Sequence, residues 1–96
     1  MDFKIIWSSE AIIDLEKIVS YLQVNWTIKV LNNFSRSLKD KLQTLKKFPL
    51  SGIASDKKHF RKKLITKHSY LVYKVMENRV QILFITDTRQ NTNTKN

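Results

Sequence analysis

The chain has 96 residues, no cysteine, 42% apolar side chains and a formal charge of +10. That length suits one modest core and excludes a second domain, while the lack of cysteine excludes disulfides, thiolate nucleophiles and thiolate metal sites. The charge is uneven, with eight Lys/Arg against six acids over residues 1–56 and ten against two over residues 57–96, so the C-terminal part should present a surface for a polyanion or an acidic protein.

The N-terminus lacks the cationic-then-apolar pattern of a signal peptide, and no apolar run approaches membrane-spanning length. The expectation is a cytoplasmic protein that does not use a membrane. Residues 3–7 (FKIIW) are aromatic and β-branched and predict a short strand, stopped by the capping pair Ser8-Ser9. From Ser9 to about Gln23, the apolar residues Ala11, Ile12, Leu15, Ile18, Val19 and Leu22 share one helical face. Asn25-Trp26-Thr27 breaks this pattern. A second helix to about Lys47 carries Leu31, Phe34, Leu38, Leu42 and Leu45, so the two should form an antiparallel hairpin. Trp7 and Trp26 read as packing residues, and Lys39, Lys41, Lys46 and Lys47 as a solvated face.

The only proline and the only glycine fall together in Phe48-Pro49-Leu50-Ser51-Gly52, a clear loop signal. After it the period changes to two. Residues 59–66, 69–76 and 79–86 predict three strands of an antiparallel meander, with Glu77-Asn78 as a tight turn. The expected fold is α+β with the order β-α-α-β-β-β, an antiparallel sheet covered on one face by the helix hairpin. Residues 1–90 form the domain and 91–96 a polar tail.

Alternation along the strands sorts the charge. If the helices cover the more apolar faces, Leu64, Leu71, Tyr73 and Val75 point into the core. Arg61, Lys63, Tyr70 and Lys74 then line the open face. Seven Lys/Arg and two His lie between Lys57 and Lys74 without one acid. Such a run can be a phosphate-binding surface, with an exposed aromatic stacking on an unpaired base, or an edge strand kept soluble by charge. The density of unpaired cations favours the first, because like charges repel unless a partner relieves them. Lys57, Lys58, Lys62, Lys67 and Lys74 are the expected nucleic-acid or target-binding residues.

Catalytic signatures are sparse. HExxH, Walker, GxGxxG and GxSxG motifs are absent. His59 and His68 lack metal-like spacing, and the only acids of residues 57–96 are Glu77 and Asp87, so neither a metal nor another cofactor is expected. Metal-free chemistry on RNA stays open: the ribose 2′-OH attacks the adjacent phosphate, a Lys acts as base, and Arg stabilises the phosphorane charge.

Several segments, in order, resemble the RelE/ParE superfamily of toxins from bacterial type II toxin–antitoxin systems. They are Trp7-Ser-Ser-Glu-Ala11 leading into Asp14–Leu22, the loop Phe48–Gly52, the basic Arg61-Lys62-Lys63-Leu64, Tyr70-Leu-Val-Tyr-Lys-Val75, and Val80–Arg89. The resemblance implies a basic sheet face and an acidic antitoxin encoded next to the toxin. It implies two modes of growth inhibition: RelE-like members cut ribosome-bound mRNA without metal, and ParE-like members poison DNA gyrase. By position it assigns catalytic or phosphate-binding roles to Arg61, Lys63 and Arg89. Tyr70, the fourth catalytic candidate, stands where ribonuclease members carry an arginine, and no Tyr or His follows Arg89. A basic nucleic-acid-binding module without toxicity is the remaining reading.

Overall fold

The structure is a computed structural model that describes residues 2–57 and 59–91. The expectations placed on Lys58 and on tail residues 92–96 lie outside the described residues. Strand β1 (Lys4–Trp7) feeds helix α1 (Ser9–Asn25), and α2 (Ile28–Lys47) follows. A two-residue strand β2 (Ile53–Ala54) precedes β3 (Phe60–Thr66), β4 (Ser69–Met76) and β5 (Arg79–Asp87), and a single turn of helix, α3, spans Thr88–Asn91.

Both long helices start on a side-chain cap. Ser8 Oγ accepts the Ala11 N–H at 3.0 Å, and Thr27 Oγ1 accepts the Val30 N–H at 3.2 Å, satisfying donors that a helix N-terminus leaves free. The α1 stripe centres on Ala11, Ile18 and Leu22, all buried. Ile12, expected on that face, lies at its margin and is 46% exposed. Phe34, Leu38 and Leu45 of α2 are buried against the same core.

The sheet has the order β1-β5-β4-β3-β2. Strands β3 to β5 pair antiparallel as expected, and the short β2, which was not expected, adds an antiparallel partner to β3. β1, however, joins β5 in parallel and makes the sheet mixed, because a helix hairpin lies between β1 and the meander and returns the chain to the far edge. Leu71, Tyr73, Val80, Ile82 and Ile85 form the sheet side of the core.

A β-bulge between Val72 and Tyr73 of β4 shifts the register, pairing Tyr73 with Ile82 and Val72 with Phe84. It lets both Ile82 and Ile85, three residues apart, point inward. Helix α1 and its cap satisfy the backbone there: Ser8 Oγ donates to Leu83 O at 2.8 Å, and Asp14 Oδ2 accepts the Ile85 N–H at 3.1 Å. Among the described residues no helix is long and apolar enough to cross a membrane.

Candidate functional site

Register decides which cations face where. Residues paired across a ladder share a face, and Arg61 pairs with Tyr73 and Lys63 with Leu71. Because Tyr73 and Leu71 are core residues, Arg61 and Lys63 lie on the helix-covered side, not on the open face expected from the sequence. Leu64 pairs with Tyr70 on the open face and is 51% exposed, so it is not a core residue. The physical reason lies one residue further on. Ile65, 3% exposed, anchors β3 to the core, and Ser37 Oγ of α2 donates to its carbonyl. Parity then sends Arg61 and Lys63 to the same side.

There these two residues clamp the Pro-Gly loop. Arg61 Nη1 donates to Leu50 O at 3.2 Å and Gly52 O at 2.9 Å, and Lys63 Nζ to Ser51 Oγ at 3.0 Å. Between them the buried Tyr73 hydroxyl donates to Pro49 O at 2.7 Å and accepts the Gly52 N–H at 2.9 Å. Burial pushes the Tyr73 phenol above its ordinary pKa, opposed by the Gly52 N–H and the Arg61 charge. Gly52 is required by contact and not by backbone angle: a Cβ there would lie 2.5 Å from the Tyr73 oxygen and 2.9 Å from Lys62 O.

The open face carries the other parity. Lys57, Phe60, Lys62, Tyr70, Val72 and Phe84 line a groove of about 350 Å³, which Arg61 also borders. It meets a shallower hollow of about 620 Å³ lined by Asp56, Lys57, His59, Phe60 and Lys74. Lys62 Nζ sits 4.3 Å from the Tyr70 ring centroid, a cation–π contact that fixes both side chains. The face is thus an aromatic strip edged by lysines. Tyr70 and Lys74 point to it as expected, and Lys62 replaces Arg61 and Lys63 as its cation on β3. Val72 follows the alternation of Tyr70 and Lys74, and Phe60 shares the parity of Lys62. Phe84 reaches this face through its pairing with Val72 beside the bulge, which no local spacing signals. Lys67 stands exposed in the β3–β4 turn.

Arg89 is held elsewhere. Its Nε and Nη2 donate to Asp87 Oδ1 at 3.0 Å and Oδ2 at 2.7 Å, and its guanidinium lies 5.6 Å from the Trp26 ring centroid. Asp87, fully buried, pairs across the sheet with Ser69, and Arg61 with Tyr73. The two pairings are four residues apart along β4, roughly 13 Å at strand spacing. Tyr70, Arg61 with Lys63, and Arg89 therefore occupy three separate places. Among the described residues no cluster of three His, Asp or Glu could hold a metal ion.

The fold is similar to several solved toxins at low identity. The chromosomal ParDE system of P. aeruginosa matches at 17% identity, covering 88% of this chain and 95% of that chain, with a TM-score of 0.73. A YoeB/ParE toxin from Agrobacterium tumefaciens matches at 16% identity over 88% and 96%, with a TM-score of 0.64. The toxin in the E. coli DinJ–YafQ toxin–antitoxin complex matches at 12% identity over 96% and 99%, with a TM-score of 0.62. No curated protein sequence matches the chain significantly. The family model of the ParE toxin of the type II toxin–antitoxin system parDE matches residues 5–92. With that match spanning nearly the whole chain, and with the toxin fold beneath it, this protein belongs to the ParE family of type II toxins.

Proposed function

We propose that this toxin arrests growth by binding and poisoning its target, DNA gyrase, and not by cutting ribosome-bound mRNA. The observation that carries the reading is the commitment of the cations. Metal-free cleavage of RNA needs a base and charge-stabilising donors gathered within hydrogen-bond reach of one phosphate. Arg61 instead holds two loop carbonyls, Arg89 grips a buried carboxylate, and about 13 Å of strand separates their pairings. Tyr70 is stacked under Lys62 on the opposite face from Arg61. What the open face offers is a broad lysine-edged aromatic surface for a large partner, with Lys57, Lys62 and Lys74 as its contact residues and Lys67 at its end.

The partner that restrains the toxin is an acidic antitoxin. The protein's +10 charge supports this, as does the DinJ–YafQ toxin–antitoxin complex among the structural relatives. Its binding should weaken as salt rises.

Two assays on one purified preparation test the target. Inhibition of gyrase supercoiling, relieved by Lys62→Glu with Lys74→Glu, is the expected result. Codon-specific mRNA cleavage in a translating extract with gyrase unaffected would overturn the proposal and restore the ribonuclease reading. If induction leaves growth unchanged, the non-toxic binding module stands instead.

A further inference from the structure

We propose that the edge of β3 beyond β2 is a docking lane for an extended peptide segment whose side chains alternate between acidic and apolar. β2 pairs only with Arg61 and Lys62, whereas β3 runs on to Thr66. The Ser55 N–H donates to Phe60 O. By the alternation of an antiparallel ladder, Phe60, Lys62 and Leu64 therefore turn their backbone groups outward, while Arg61 and Lys63 turn theirs to β4. Leu64 is the next outward residue, two positions past the last one that β2 covers.

The chain itself leaves this lane at Gly52. Arg61 and Tyr73 draw residues 49–52 down to the helix side. In line with β2 lies a hollow of about 230 Å³ lined by Lys41, Ser51, Gly52, Ile53, Lys62, Lys63 and Leu64. An unpaired strand edge of this kind is a template for another strand.

The two sides of the lane differ chemically. On the open side stand Ile53, 64% exposed, and Leu64. On the helix side stand Lys63, whose one hydrogen-bond partner among the described residues is a neutral serine hydroxyl, and Lys41 of α2. Among the described residues, the only acid paired with Lys41 is Asp40, at 3.9 Å and itself well exposed. An incoming strand alternates its side chains between these sides. It therefore meets apolar surface at one parity and two lysines at the other. A residue opposite Leu64 would exchange both backbone hydrogen bonds with it. Nucleic acid offers neither those bonds nor that alternation. The inference rests on the reading above only in taking the restraining partner to be acidic, and its lane, which shares Lys62 with the target-binding groove, is read out apart from it at Leu64.

The test uses ¹⁵N-labelled toxin and a capped peptide of alternating Asp and Val, about ten residues long. Its control has the same composition with the Asp and Val in separate blocks. The alternating peptide should slow exchange of the Leu64 amide and shift resonances of residues 62–66. Both peptides can make the backbone ladder bonds, so the gap between them reports the side-chain match alone, and the alternating peptide should bind roughly tenfold tighter than the block peptide. Lys41→Glu, a half-buried helix position outside the sheet, should weaken binding about tenfold. Equal affinity for the two peptides would overturn the proposal. So would a Leu64 amide already protected in the free protein, shifts confined to Tyr70, Lys74 and Phe84, or no effect of Lys41→Glu. None of those results bears on the toxicity assays, which contain no peptide.

Discussion

Replacing Tyr73 by Phe removes one oxygen and tests whether the basic pair of β3 is structural. That oxygen donates to Pro49 O at 2.7 Å and accepts the buried Gly52 N–H at 2.9 Å. Each bond contributes about 1 kcal/mol net, and stranding a buried N–H costs about 1–3 kcal/mol, so the expected loss is about 2–3 kcal/mol. For a domain of this size that corresponds to a fall in Tm of roughly 10–20 °C. Arg61 grips the next carbonyls of the same loop, so Tyr73→Phe and Arg61→Met should show a coupling of at least ~0.5 kcal/mol in a double-mutant cycle. Urea unfolding followed by tryptophan fluorescence measures both, with Cm shifting at constant m. A Tyr73→Phe loss under ~0.5 kcal/mol, or strict additivity with Arg61→Met, would refute the clamp and return Arg61 to the list of free anion ligands.

The same hydroxyl titrates. Since burial raises its pKa in the folded state, its contribution is full below the unfolded value of about 10 and is lost as pH climbs from there through the folded pKa. The stability gap between wild type and Tyr73→Phe should therefore shrink above about pH 10 in urea titrations; a constant gap would contradict the burial. Gly52→Ala sets a Cβ 2.5 Å from that oxygen and 2.8 Å from Cε1, and should cost about 3 kcal/mol, less in a Tyr73→Phe background. Asp87→Asn weakens a buried ion pair and should lower stability by about 3 kcal/mol in thermal unfolding; a change within ~0.5 kcal/mol would mean Arg89 is not held by it. Asp14→Ala frees the Ile85 N–H at the bulge, and should cost about 1–2 kcal/mol and speed hydrogen exchange of that amide.

Elements with strong periodicity were legible in the sequence: the two helices, the cap of the first at Ser8, and the three meander strands fall within a few residues of expectation. β2 was not, because two exposed residues carry no period, and neither was α3, whose four residues are all polar. The faces of β4 were also readable, since Leu71, Tyr73 and Val75 outweigh Tyr70, Val72 and Lys74. β3 misled because it lies near the sheet edge. There a lysine and an arginine on the covered side can reach past the helices to loop oxygens, while a leucine can stand in solvent. A bias drawn from side-chain polarity alone inverted it, and only the pairing with β4 shows the inversion. The role of Arg89 likewise depended on Asp87, two residues away and buried, whose burial nothing in the local pattern announces.

The parallel pairing of β1 with β5 has a further effect on how the toxin comes into being. The bond from Ser8 Oγ to Leu83 O spans 75 residues, and β1 has its ladder partner only in β5. On a translating ribosome the helix hairpin and β3–β4 can collapse early, since their contacts are local. The first strand can lean on α2 through the Phe3 N–H bond to Lys46 O, but its ladder must wait until the last strand has left the exit tunnel. Closing the sheet therefore cannot precede synthesis of its last strand, and until then the edge of β5's neighbour β4 and the whole of β1 lack their central partner.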